Sequence, residues 1–170
     1  MENLHEKLTE LKSKIIKAFE SVSVPKGFIT DHECEECFGV RKAFCNKDWK
    51  AITAEILREN YDKLPLFTAE AFHSFLPSYL IHSLEHFAET DDVYEFTGYQ
   101  FMVRNDDEVE RYSQRLISRF EYFTKEQIEV VLEFIDLAIL NEDYYVMRRE
   151  LERGKAIISA IWAKDLGLKG

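Results

Sequence analysis

Two short stretches of this sequence carry residue types that hold metals or move protons. The first is Asp31-His32-Glu33-Cys34-Glu35-Glu36-Cys37-Phe38-Gly39, followed by Cys45. A CxxC pair with a histidine beside it and a third cysteine nearby is a donor set for tetrahedral zinc, and Gly39 stands where a zinc-knuckle turn would have it. The same pair can do dithiol redox chemistry when a strand precedes it, and no strand is predicted ahead of this one. The second stretch is His82-Ser83-Leu84-Glu85-His86, an HxxEH arrangement. In one class of zinc peptidase, two histidines a helical turn apart hold the metal and the glutamate between them acts as general base. Such a site needs a third protein ligand. His73 is a poor one, because it lies upstream across Pro77 on what would be the opposite face.

Both stretches have plainer structural readings. Thr30 with Glu33 has the spacing of a capping box, which predicts a helix from there to about Cys45. On such a helix Cys34 and Cys37 are small thiols facing the core, and His32 faces away from Cys34. Cys34 and Cys45 would then be three turns, about 16 Å, apart, too far to share one ion. Packed or solvated histidines on an acidic helix account equally for His82 and His86. No GxxxxGK[ST], GxGxxG or GxSxG sequence occurs, and the chain has 6 glycines in all, so phosphate-cradling loops are absent in their recognised forms.

Helical periodicity dominates the elements that must position these residues. Leu4, Leu8, Leu11, Ile15, Phe19 and Val22 form one apolar stripe, closed by the turn Val24-Pro25-Lys26-Gly27 and an extended Phe28-Ile29. Asp48 can cap a third helix that turns Trp49, Ile52, Ile56 and Leu57 inward and ends near Asn60. Thr68 caps the next, with Glu70 in its first turn, and Pro77 interrupts or resets it before a helix over 79–88. Tyr79 is placed to hydrogen-bond across the corner this makes. Residues 93–103 alternate in part, with Thr97-Gly98 between two aromatic runs, which allows one small β-hairpin. Asp106-Asp107-Glu108 favours a helix start ahead of Val109, Tyr112, Leu116, Ile117 and Phe120. Thr124 with Gln127 is a second capping box and opens the most apolar helix, placed at the centre of the core. A last helix spans 144–163. The expectation is an all-α or nearly all-α fold, one domain over 1–170 with six to eight helices.

Charge narrows the function classes. Against 22 Lys and Arg stand 32 Asp and Glu, a formal net charge of −10. Direct nucleic-acid binding needs a cationic footprint and is not expected. The N-terminal residues carry charges every few positions, unlike a signal peptide, and no stretch approaches the roughly 18 apolar residues of a membrane span. A cytoplasmic protein with reduced thiols is expected.

One run resembles a known family: Ala43-Phe44, Lys47-Asp48-Trp49, Leu66-Phe67-Thr68-Ala69-Glu70-Ala71-Phe72, Phe75-Leu76-Pro77-Ser78-Tyr79-Leu80 and Thr124-Lys125-Glu126-Gln127. It is similar to a family of uncharacterised, mostly bacterial proteins, a domain of unknown function with K-x-W, L-T-x-E-A-F-x-x-F-L-P-x-Y and T-x-x-Q elements. Phe67 stands where that pattern has Leu. The resemblance covers about residues 10–140 and implies a compact helical domain with no catalytic residue to transfer.

The leading expectation is a non-enzymatic acidic module that binds a basic protein partner, of the immunity or antitoxin kind, without a cofactor. Its candidate contacts are Glu33, Glu35, Glu36, Asp91, Asp92, Tyr94, Tyr99, Asp106, Asp107 and Glu108. The alternative is a small zinc-dependent hydrolase or zinc-stabilised domain, built on His82, Glu85 and His86 or on His32, Cys34, Cys37 and Cys45. Oligomeric state is left open.

Overall fold

The apolar stripes of this chain are too numerous and too short to be satisfied pairwise, so they meet in one shared core. A computed structural model describes residues 4–89, 91–104, 109–141 and 147–167, with side chains through 163. Its helices are α1 (Leu4–Ala18), α2 (Glu35–Phe44), α3 (Ala54–Glu59), α4 (Ala69–Glu85), α5 (Asp92–Tyr99), α6 (Val109–Arg119), α7 (Lys125–Leu140) and α8 (Arg148–Gly167), and no strand occurs among the described residues. Helix α4 packs against α1, α5 and α6, while α7 lies between α1 and α8.

The centre of the core is α4 rather than α7. Its Phe72, Phe75, Leu76, Tyr79 and Leu80 are all fully buried, as are polar neighbours. Ser78 and Ser83 are buried because their hydroxyls donate back to the Phe75 carbonyl (2.6 Å) and the Tyr79 carbonyl (2.7 Å). A serine that satisfies itself within its own helix can sit in a core. Counting apolar residues alone therefore ranks α7 above α4. Pro77 does not interrupt the helix either, and α4 runs through it unbroken. A proline inside a helix costs about 3 kcal/mol. Burying a fully enclosed helix of aromatic and aliphatic side chains exceeds that several-fold.

The hairpin alternative over 93–103 is incorrect, since residues Asp92–Tyr99 form α5. Asp91 supplies the deciding term: its carboxylate accepts the Tyr94 amide (3.0 Å) as N-cap, and Val93, Tyr94 and Thr97 then face inward at helical spacing. The third predicted helix is divided. Asp48 caps a 3-10 turn, Trp49–Ala51, and Thr53 caps α3 separately. The last helix is described from Arg148, so its expected first residues, Tyr144 to Val146, lie outside the described residues.

Three polar contacts tie the helices where hydrophobic packing alone would leave their relative rotation loose. Gln127 completes the predicted capping box with Thr124, and its amide nitrogen donates to the Ala18 carbonyl at the end of α1 (3.0 Å). The same amide oxygen contacts His73 Nε2 of α4 at 2.8 Å. No corner forms at Pro77, and Tyr79 instead donates from within α4 to the Asn60 carbonyl at the end of α3 (2.8 Å).

Candidate functional site

The corner ahead of α2 is built by backbone pairing. Thr30 and Phe67 form an isolated antiparallel bridge, the Thr68 amide donates to the Ile29 carbonyl (2.9 Å), and the Thr68 hydroxyl donates to the Phe28 carbonyl (2.8 Å). Glu70, in the first turn of α4, accepts the amides of Lys26 and Gly27 (3.0 and 3.2 Å). Residues 28–30 are thereby laid against the start of α4, and Thr30 is occupied. It cannot serve as a helix cap.

The cap of α2 is instead Cys34, whose sulfur accepts the Cys37 amide at 3.3 Å. This corrects the expected helix start by several residues, and with it the expected facing of His32. Because His32 precedes the helix, its ring folds back over the first turn, and Nδ1 lies 3.4 Å from Cys37 Sγ. One donor atom from each of His32, Cys34 and Cys37 lies within 4.8 Å of the others, and no other such trio is found among the described residues. All three cysteines are free thiols. Cys45 ends α2 as its C-cap, so it does not join this group. The Cys37 amide pointing at its sulfur pulls the exposed Cys34 thiol below its ordinary value, whereas burial pushes the Cys37 thiol up.

Beside this trio is an open cavity of about 440 Å³ lined by Phe28, Thr30, Asp31, His32, Glu33, Arg41, Thr68, Ala69, Glu70 and Tyr122. Three carboxylates face one guanidinium there, and Arg41 is engaged in donating to the Thr30 hydroxyl (3.1 Å). Phe28, on the rim, is 83% exposed. Sequence reasoning missed the parts played by Phe28, Arg41, Glu70 and Tyr122. The extended Phe28-Ile29 and the Thr68 cap were visible, but their pairing with each other was not.

The HxxEH residues are employed otherwise. His82 is buried at 3% exposure and its Nε2 meets the Asp91 carboxylate at 2.7 Å, pinning the end of α4 to the start of α5. His86 Nδ1 pairs with Glu89 (2.9 Å), and Glu85 pairs with Lys12 of α1 (2.5 Å). The two imidazoles meet tilted by 34°, with ring centres 4.4 Å apart and no third ligand among the described residues.

Of the expected partner contacts, Glu33, Glu35, Glu36 and Asp92 are exposed. Tyr94 is buried, at 1% exposure, with its hydroxyl accepting from Asn141 (3.1 Å), and Asp91 is committed to His82 and the α5 cap. Tyr99 is half-buried and donates to Glu95. The expected exposed tyrosine patch therefore does not form at Tyr94, because α5 turns that ring inward. Asp106, Asp107 and Glu108 lie outside the described residues. No described helix is long and apolar enough to cross a membrane.

A family model described as a family of unknown function (DUF6714) matches residues 7–165. No curated protein and no solved structure matches the chain.

Proposed function

The chain belongs to the DUF6714 family of unknown function, and we propose that it is a non-enzymatic protein-binding module whose cavity between residues 28–33 and the start of α4 receives a basic side chain of a protein partner. The observation that carries this reading is the lining of that cavity: Asp31, Glu33 and Glu70 for a cationic head, and the rings of Phe28 and Tyr122 for its aliphatic stem. Lysine and arginine have this divided chemistry, and an aromatic wall adds cation–π attraction. The net charge of −10 steers a basic partner toward the molecule. Exposed Glu35 and Glu36 extend the acidic surface along the first turn of α2, although Glu36 is partly neutralised by Lys63 (3.0 Å). An immunity-type or antitoxin-type role is the form this takes when the partner's basic site is the one occluded.

The test is binding to an array of lysine- and arginine-containing peptides, with acidic peptides as controls. Basic peptides should bind in a salt-sensitive manner, and both Phe28→Ala and Glu33→Lys should weaken binding by about tenfold or more, as loss of a central contact does. Equal binding of acidic peptides, or indifference to both substitutions, would sink the proposal.

A further inference from the structure

We propose that His32, Cys34 and Cys37 form a zinc site with three protein ligands and one open coordination position. The donor atoms already have the spacing the ion needs. Tetrahedral zinc with bonds of about 2.3 Å to sulfur and 2.0–2.1 Å to nitrogen sets a nitrogen and a sulfur about 3.5 Å apart, and two sulfurs about 3.8 Å apart. His32 Nδ1 and Cys37 Sγ are 3.4 Å apart, and the three donors all fall within 4.8 Å of one another. A turn of the exposed His32 ring and closure of the cysteine pair bring the three donors to a coordination shell.

The surroundings favour a cation over the other chemistry of a CxxC pair. The Cys37 amide donates to Cys34 Sγ (3.3 Å), which stabilises that sulfur as a thiolate. Both ring nitrogens of His32 lie near Cys37 Sγ, Nδ1 at 3.4 Å and Nε2 at 3.8 Å, and Asp31 Oδ1 is 3.9 Å from Nε2, within reach to orient the ring as an outer carboxylate once Nδ1 turns to the ion. Asp31, Glu33, Glu35 and Glu36 are all exposed around the pair. Two cysteine sulfurs amid four carboxylates attract a divalent ion, which displaces the thiol protons as it binds. They repel anionic thiols and disulfides, the usual exchange partners of a redox dithiol. Cys45 closes the far end of α2 and cannot supply a fourth ligand, so water or a partner's side chain completes the shell. This inference shares Asp31 with the basic-partner reading but does not rest on it, and it is tested without any partner.

The experiment is titration of the reduced, untagged full chain with cobalt(II), followed by displacement with zinc(II). The expected result is one cobalt per chain, with the thiolate-to-cobalt charge-transfer band and the intense visible absorption of a tetrahedral site, both abolished by one equivalent of zinc. His32→Ala and Cys34→Ala should each weaken binding by more than about 100-fold, and so should Cys34→Ser, whose hydroxyl keeps a cap on α2 and so separates loss of the ligand from loss of the cap. Asp31→Asn should weaken it by about tenfold, the effect of an outer partner. Cys45→Ala should bind as the unaltered chain does. The site is overturned by absence of the charge-transfer band, by binding that survives Cys34→Ala, or by a Cys34–Cys37 disulfide forming in preference to metal uptake under mild oxidation.

Discussion

His73 is held neutral by its place against Phe19 and Phe123, because burial lowers its affinity for a proton despite the contact with Gln127 and the charge of Glu70. Its folded value lies below the ordinary 6.5, so the unfolded chain binds the proton first. The stability owed to neutral His73 is complete above about pH 6.5 and is lost as the pH falls toward the folded value. Between pH 7.5 and 5.5 the urea midpoint should drop more for the native chain than for His73→Gln; equal drops would show that His73 does not titrate in that window. Tyr79→Phe tests a second single group. It leaves the Asn60 carbonyl without its phenol donor and should cost about 1–3 kcal/mol in urea unfolding. That Tyr79 would bond to another element was legible, because a phenol on an apolar helix must find an acceptor, but the acceptor is the end of α3 and not a corner at Pro77. Cys34 as helix cap was not legible. Thr30 is the better cap by type, and only the pairing with Phe67, far along the chain, removes it from contention.

At the scale of elements, α8 depends on one glycine. A Cβ added at Gly154 would lie 1.6 Å from the Phe101 carbonyl oxygen, so the helix backbone rests directly on residues 101–103. The Val103 amide donates to the Glu150 carbonyl (3.0 Å) along the same line. Alanine would improve intrinsic helix propensity by about 1 kcal/mol, yet Gly154→Ala should lower stability by about 1–3 kcal/mol as α8 is pushed off its seat. A gain in thermal midpoint would show that α8 does not rest there. Most elements were legible from their periodicity and caps, α1 and α7 above all. Those that were not share a cause. Pro77 and the Thr97-Gly98 pair are local signals for a break or a turn, the first overridden by tertiary burial and the second by the Asp91 cap together with the burial of Val93, Tyr94 and Thr97.

Across the whole molecule, the described ion pairs are surface pairs: Lys12 with Glu85, Lys14 with Glu10 and Glu133, Lys63 with Glu36 and Asp62, and Lys155 with Asp136. Each is worth little, whereas the excess of ten negative charges repels itself throughout. Moderate sodium chloride should therefore raise the thermal midpoint slightly. A fall would mean that the pairs outweigh the repulsion. The buried cation Arg119 is a separate case. Held by Gln100 (3.0 Å) and the Leu64 and Pro65 carbonyls (3.4 Å each) over the Phe72 ring, its guanidinium is pulled down to about 9 by burial and by Arg115, and it stays charged at neutral pH.

The Gln127 amide has a consequence for how the molecule opens. Its oxygen accepts the Thr124 amide and faces His73, and its nitrogen reaches Ala18, so one planar group is complete only when α1, α4 and α7 are all docked. Fraying of α1 leaves the Gln127 nitrogen without its acceptor, and loss of α7 takes the partner from both His73 and the Ala18 carbonyl. Helix α1 is thereby bound into the same cooperative unit as α4 and α7. Amide protons in the second half of α1 should exchange with solvent through the same opening event as those of α4 and α7, and replacing Gln127 with alanine should release α1 to exchange on its own.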